Sequence, residues 1–560
     1  MPNGLVCWSK NYRAFAPKGR RRAETPAETG LGGAIIPVPV HPVTTPFDPW
    51  QRALPDGEFL AAAYRHCLGR EADPAGFAHG LRRLHQGLDR PALLTDLLHS
   101  PEAHAHLKDA REPLARAAHR PLPRRLWSRL RRPWRGRGPA SMPAVLLPPE
   151  HLREPDPRPV SRPLAPTVWP TSRRHALFTI ATANYLPQVR VLMASLRRHH
   201  PGQAHVLVLV DPAGVATPTR ELALGTDTVV LHAAALGMPS HDDMSVRYDT
   251  LELSTAVKPW AVRHLLGDAG FEQVVYLDPD IELHAPLTEA LSRLDGGASF
   301  VVTPHLLEPL PPPGLPDDHA ILRSGVFNLG FLAVRRCEES LAFLQWWAEQ
   351  LQTRCLVSFE QNLFTDQRWC DLLPCFAEHL QVLRHPGYNV AYWNLAQRRL
   401  AQDAAGQWQA QGQPLVFFHF SGFDPRAPER CSRHQDRLTD ASLAPALPLL
   451  RAHAAALLHA GWPGEAPVSH GPLSPVLRQY YRHRHPAPVV QDRPRLLAGL
   501  LRDALATDEL GMPRVLRFLH QNSAELQAAF DLREPGGAAG FALWVRCCAL
   551  DQLGLREWAA

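Results

Sequence analysis

The chain has 560 residues, 56 of them proline, and a formal net charge of +6, so it is too long for one hydrophobic core and implies about two to four domains separated by proline-rich stretches. Its nine cysteines form no C-x-x-C pair, which argues against a disulfide framework and fits a reducing compartment. No apolar run follows Lys10 and Arg20–Arg22, and no window reaches ~18 uncharged apolar residues, so neither a signal peptide nor a membrane span is expected.

Residues 1–45 are rich in Pro, Gly, Ala and Arg without periodicity, and disorder is expected there. A helical domain is expected over 46–110. Phe59, Leu60, Ala63, Tyr64 and Cys67 fall on one helical stripe, and Leu93, Leu94, Leu97 and Leu98 make another. Between them Arg70-Glu-Ala-Asp-Pro-Ala-Gly76 reads as a turn. The run from Phe59 to Gly76, with Leu97-Leu-His-Ser-Pro-Glu102, resembles the small helical DUF4214 repeat, for which a spacer or a binding module are both open roles. Residues 111–172 form a Pro/Arg-rich linker. Its segment Arg124–Arg137 interleaves seven arginines with Trp127 and Trp134. That composition suits an anionic membrane surface, would also suit nucleic acid, and is matched by a plain solvated linker. Peripheral membrane contact is the expectation carried forward, with no nucleic-acid partner and a cytoplasmic location.

From His175 the pattern changes to alternating strands and helices, the mark of a mostly parallel α/β sheet. Ala176–Thr182 is expected as a strand, Asn184–Pro187 as a turn, Val189–Arg198 as a helix and Val206–Val210 as a strand ending at Asp211. A weaker strand covers Val229–Leu231, and one helix covers Leu251–Leu266. Val274-Val-Tyr-Leu277 is then a buried strand, stopped by Pro279, which has no N–H for a ladder. It delivers Asp278 and Asp280 at its carboxyl end. Two hard oxygen ligands spaced i, i+2 suit Mg²⁺ or Mn²⁺, and ligands of open α/β sheets bind at the carboxyl ends of strands. A plain strand-to-turn exit is the alternative.

Four more segments follow: Lys258-Pro-Trp260 on the preceding helix, Gly325-Val-Phe-Asn-Leu-Gly330 opening a strand, Thr365-Asp-Gln-Arg-Trp369 in a helical stretch, and Phe417-Phe-His-Phe-Ser-Gly422. In this order, with Asn184-Tyr185 and Tyr276-Leu-Asp-Pro-Asp280, they resemble a GT-A glycosyltransferase of family 8, the glycogenin- and LgtC-like retaining enzymes. The resemblance spans about His175 to Asp436. It implies a Rossmann-like GT-A catalytic domain over 173–440; beyond it Leu449, Leu450, Ala454, Leu457 and Leu458 are spaced for one helix face, and a helical C-terminal domain is expected over 441–560.

The same resemblance implies the site. Asp278, Asp280 and His419 would hold the metal, with His419 otherwise readable as a core histidine. Tyr185 would stack on the nucleotide base beside Thr182 and Asn184. Asn328 and Gly330 would line the sugar pocket. Asp366 and Gln367 would lie near the donor's anomeric carbon, and Lys258 would face the phosphates or else be a surface lysine. Family members carry a Lys-Pro-Trp after the histidine motif. Here Phe423-Asp-Pro-Arg426 stands in that place, leaving Arg426, Arg430, Arg433 or Lys258 for the leaving group. The dense run His385–Leu395 offers Tyr388, Asn389, Tyr392, Trp393 and Asn394 for sugar contact, or else makes an aromatic core turn.

The implied activity is metal-dependent hexosyl transfer from a nucleotide sugar to a glycan, lipid-linked or protein acceptor, with retention. Two other classes compete. A sugar-nucleotide pyrophosphorylase would want a Gly-rich basic loop after the first strand, and Ala181–Gln188 contains no glycine. A silent assembly protein of a polysaccharide system would be expected to break the metal set.

Overall fold

The structure, a computed structural model, describes residues 54–88, 90–98, 100–103, 169, 172–210, 222, 224–225, 227–463, 473–509 and 511–549. The expected disordered segment 1–45, the Arg124–Arg137 element and Asp211 lie outside the described residues. The chain divides into two compact units. One joins residues 1–149 with 505–560 and the other holds residues 150–504.

The first unit is helical. Asp56–Leu68 packs on Pro74–His85 and Arg90–Leu98, Pro74–His85 packs on Ala524–Ala529 and Pro535–Trp544, and Arg514–Gln521 packs on Ala524–Ala529. Asp73 explains the turn before the second helix. Its carboxylate accepts from the Gly76 amide at 2.7 Å, and Pro74 occupies the first helical position, where no N–H is needed. Phe59, Phe77, Phe541 and Trp544 are fully buried in this core. The Trp544 indole donates to the Ala72 carbonyl at 3.0 Å.

The second unit is built on a seven-stranded, mostly parallel sheet with helices packed against it, the α/β architecture the sequence implies. In chain order its strands are β1 His175–Ala181, β2 Ala204–Leu209, β3 Thr228–His232, β4 Gln273–Leu277, β5 Ile281–Leu283, β6 Phe300–Pro304, β7 Phe327–Arg335, β8 Val357–Ser358, β9 Leu363–Phe364, β10 Leu380–Val382, β11 Leu400–Gln402, β12 Trp408–Ala410, β13 Gln413–Pro414 and β14 Phe417–His419. The main sheet runs β10-β6-β7-β4-β1-β2-β3. Alternate residues of β1 and β4 enter two separate cores: Phe178, Val274 and Tyr276 on one face, Leu177, Val275 and Leu277 on the other. Burial on both faces is why these strands read as unbroken apolar runs.

One strand breaks the parallel pattern, and it matters for the site. β7 runs antiparallel between β4 and β6. Its first residues therefore lie at the same sheet edge as the last residues of β4. The register pairs Leu277 with Phe331, and the Asp278 amide donates to the Gly330 carbonyl at 2.8 Å.

The helix expected over Leu251–Leu266 is two helices, Thr250–Ala256 and Lys258–Leu266, meeting at Val257. Pro259 is the reason, since it offers no N–H to the preceding turn. The helical stretch around Asp366 is also shorter and tighter than expected, a 3₁₀ turn over Gln367–Leu372. Among the described residues no helix is long and apolar enough to cross a membrane. The eight described cysteines are all free thiols.

Candidate active site

Three elements meet at the carboxyl end of β4. The strand itself ends into Asp278. The following turn carries Asp280 into β5, and β5 pairs antiparallel with β14, setting His419 opposite Ile281. The Phe420 amide extends that pairing by donating to the Asp280 carbonyl at 2.8 Å. As a result the His419 Nε2 atom lies 3.1 Å from Asp280 Oδ1 and 3.5 Å from Asp278 Oδ2. Ligand atoms of all three residues fall within 4.8 Å of one another. The imidazole is 4% exposed, whereas the Asp278 and Asp280 side chains are 29% and 23% exposed, so the cluster opens to solvent on its carboxylate side.

The ring is held from behind. His419 Nδ1 lies 3.2 Å from Asn389 Oδ1. The Asn389 amide nitrogen donates to Thr303 Oγ1 and to Asn328 Oδ1, each at 2.9 Å. Those two bonds fix which end of the Asn389 amide is oxygen, so His419 must carry its proton on Nδ1 and turn Nε2 toward the carboxylates. This is how a metal-binding histidine is ordinarily oriented. Tyr276 steadies the first carboxylate, its hydroxyl donating to Asp278 Oδ1 at 2.6 Å.

The donor set fits a divalent cation: two carboxylates and one imidazole nitrogen, the ligands suited to Mn²⁺ or Mg²⁺. Among the described residues no lysine or arginine pairs with Asp278 or Asp280. Gly330 supplies the room. A Cβ there would stand 2.4 Å from His419 Cε1 and 2.8 Å from Asp278 Oδ2. The charges within the cluster push one another. Burial opposes a charged His419, but the two carboxylates outweigh it and raise the ring's pKa above the ordinary value. Burial holds the Asp278 carboxyl up. Burial acts the same way on Asp280, but His419 pulls its pKa below the usual range.

Asp366 and Lys258 form a second cluster. The ammonium lies 2.7 Å from Asp366 Oδ2, with the two side chains 2% and 3% exposed. It also donates to the Leu329 carbonyl at 2.8 Å and sits 4.2 Å above the Tyr276 ring. Lys258 is thus a core residue, neither a surface lysine nor free to leave Asp366. Gln367 is engaged at both ends of its amide: Oε1 accepts from the Leu329 amide at 3.0 Å and Nε2 donates to the Ser324 carbonyl at 2.8 Å.

At the end of β1, the Thr182 hydroxyl and the Asn184 side chain bond each other. Tyr185 follows with 38% of its surface exposed. Asn328 accepts from the Gly330 amide at 3.1 Å and contacts His305 Nε2 through its own amide nitrogen at 3.1 Å. Of the run His385–Leu395, Tyr388, Asn389, Trp393 and Asn394 are buried, which makes them the core turn rather than a sugar platform; Tyr392 is half-buried. Arg426 is exposed and paired with Asp424 at 2.7 Å. Arg433 folds back toward the site, its amide donating to the Gly422 carbonyl at 3.1 Å, and its charge reaches the Tyr185 phenol. Sequence reasoning missed the part Asn389 plays behind His419. Its one local signal is an asparagine following Gly-Tyr, and its φ of 54° is a conformation asparagine tolerates better than most.

No protein-family model matches the chain. Two uncharacterized proteins of Bacillus subtilis (strain 168) are similar to part of it: YfnF, 27% identical over 99 residues, and YfnD, 30% identical over 103 residues. Each match covers 18% of this chain and 33% of the relative, so the chain spans about a third of the length of the curated relatives it matches. Solved structures similar to it include the galactosyltransferase LgtC in complex with donor and acceptor sugar analogues, at 16% identity and TM-score 0.31 over 50% of this chain and 95% of that one. Mouse xyloside xylosyltransferase 1 follows at 14% identity and TM-score 0.28 over 44% and 97%. The glycosyltransferase GlyE of Streptococcus pneumoniae TIGR4 follows at 18% identity and TM-score 0.25 over 38% and 48%.

Proposed function

We propose that the chain is a metal-dependent glycosyltransferase of the GT-A type. It moves a hexose from a nucleotide sugar, a UDP-hexose, to a glycan, lipid-linked or protein acceptor with retention, in bacterial surface polysaccharide or glycoconjugate synthesis. The observation that carries this reading is the Asp278, Asp280 and His419 cluster at the carboxyl end of a parallel strand, its imidazole oriented by Asn389 and its carboxylates open to solvent.

A divalent cation held there would offset the negative charge that builds on a departing diphosphate. The chain's own residues do the rest. Tyr185 offers an exposed ring face for the base. Asp366, held in place by Lys258, is the carboxylate assigned to the anomeric centre as that centre becomes positive. Gln367 holds the Ser324 and Leu329 backbone in place around it. In transfer on one face the acceptor oxygen bonds to the anomeric carbon, the bond to the diphosphate oxygen breaks, and the acceptor proton passes to a phosphate oxygen. A cytoplasmic location, peripheral to the membrane through Arg124–Arg137, belongs to the same proposal. Salt-reversible co-sedimentation with anionic vesicles tests that part.

The decisive experiment is a donor screen by thermal shift with Mn²⁺ and nucleotide sugars, followed by proton NMR of the product. A UDP-hexose that stabilises the protein only with Mn²⁺, and an α-linked product from an α-donor, are expected. A β-linked product would overturn retention, and no nucleotide sugar binding at all would overturn the reading. Asp366→Ala should lower the transfer rate far more than donor affinity, because its oxygen is needed mainly in the transition state.

A further inference from the structure

The antiparallel β5/β14 ribbon has two faces. One carries His419 toward the carboxylates. The other carries Glu282, Phe418 and Phe420, and it is covered by the helix Leu447–His459, whose Leu449 and Leu450 join Phe418 and Phe420 in one buried cluster. That helix gives no ligand to the site. It does give His453, which is 2% exposed and makes two contacts with the ribbon. Its Nδ1 lies 2.7 Å from Glu282 Oε2, and its ring lies flat on Phe420, with centroids 3.4 Å apart and planes 4° apart.

The two residues it grips are the ones that can move the ligands. Glu282 is two positions after Asp280, and Phe420 follows His419 directly. Each strand of the ribbon is three residues long, so its ladder alone constrains the spacing little. Glu282 accepts only, so the shared proton belongs to His453 Nδ1, and Nε2 of the same ring is buried without a partner. The ring therefore has one orientation that satisfies Glu282, and in that orientation it stacks on Phe420.

We infer that His453 is a positioning residue for the metal cluster: by holding Glu282 and Phe420 at once, it sets the distance between Asp280 and His419 from outside the site. This rests on the metal reading given above. Partners behind a metal's ligands typically change its affinity about 10- to 100-fold when removed.

The test is Mn²⁺ affinity, read from the free-ion EPR signal on the full chain, beside the melting temperature. His453→Leu should weaken Mn²⁺ binding roughly 10-fold, and His453→Gln, which restores a donor to Glu282, should recover part of it. Phe420→Leu removes the stacked ring at similar volume and should weaken binding too; it serves if His453→Leu fails to fold. Leu457→Ala, a cavity on the same helix, should lower the melting temperature and leave Mn²⁺ affinity alone. Unchanged affinity in the folded His453 and Phe420 variants overturns the inference while the metal reading stands. Equal loss in Leu457→Ala also overturns it, reducing the helix to general support. A wild-type chain that binds no Mn²⁺ overturns both.

Discussion

His305 and His419 stand at opposite ends of one bridge of amides. His305 Nε2 meets Asn328, Asn328 meets Asn389, and Asn389 meets His419 Nδ1. Both residues are buried, 5% and 3% exposed. Their charge states are driven in opposite directions. Burial pushes His305 down to about 4, while the carboxylates beside His419 overcome the same burial and push it up. Depth does not decide whether a buried histidine is charged. The nearest carboxylates decide it, and only one end of the bridge has them.

The strongest way to break this contrast is to remove a carboxylate. Asp280→Asn should make His419 resemble His305 and cut turnover on the order of 10³-fold, the scale on which charge-stabilising groups act. The melting temperature should stay near the parent's, because the side chain is partly exposed and is not core packing. Normal turnover of donor with Mn²⁺ present would remove the metal assignment. Cutting the bridge itself comes next. Asn389→Ala should weaken Mn²⁺ binding roughly 10- to 100-fold by freeing the His419 ring, and should cost about 1–3 kcal/mol through the orphaned groups around it. Calorimetric titration with Mn²⁺ alone checks the first effect and denaturant unfolding the second.

Acid should separate the two rings. His305 has a folded pKa below its unfolded value, so the unfolded chain binds the extra proton between about pH 6.5 and 4. Its contribution to stability is therefore present above that window and is lost as pH falls through it, up to about 3 kcal/mol. His305→Gln should flatten the acid side of the stability profile. A slope that persists unchanged would assign it to other groups. Gly330→Ala would press a methyl on the His419 ring. Overpacking of this kind costs about 1–3 kcal/mol. The imidazole NMR signals of His419 should shift while those of His305 stay, and the reverse pattern would contradict the geometry described.

Much of this was legible in the chain because it is local. The apolar run Val274–Leu277, the proline that stops it and the two aspartates after it needed no neighbours to be read. The sheet class followed from alternation, whereas the split of the Leu251–Leu266 helix was missed although Pro259 lies inside it. What the sequence hid is contact across long separations. Nothing near Lys258 announces Asp366, 108 positions on, as its partner at 2.7 Å. Nothing near Asn389 announces His419. His453 looked like one more residue of an apolar helix, because a side chain's partner on another element leaves no trace in its own periodicity.

The helical unit raises a question of timing. Two of its first three helices, Asp56–Leu68 and Pro74–His85, pack on segments within residues 524–549. A ribosome makes the first set, then roughly 400 residues of other chain, and only then the second; closing so long a loop adds an entropic cost that grows with the logarithm of its length. During that interval Phe59 and Phe77, fully buried in the finished protein, are without the later segments that pack on their helices. The sheet unit, whose residues all emerge within the interval, is able to fold first. Loss of the last helices would thus expose an apolar surface near the other end of the chain, in a segment whose own residues are intact.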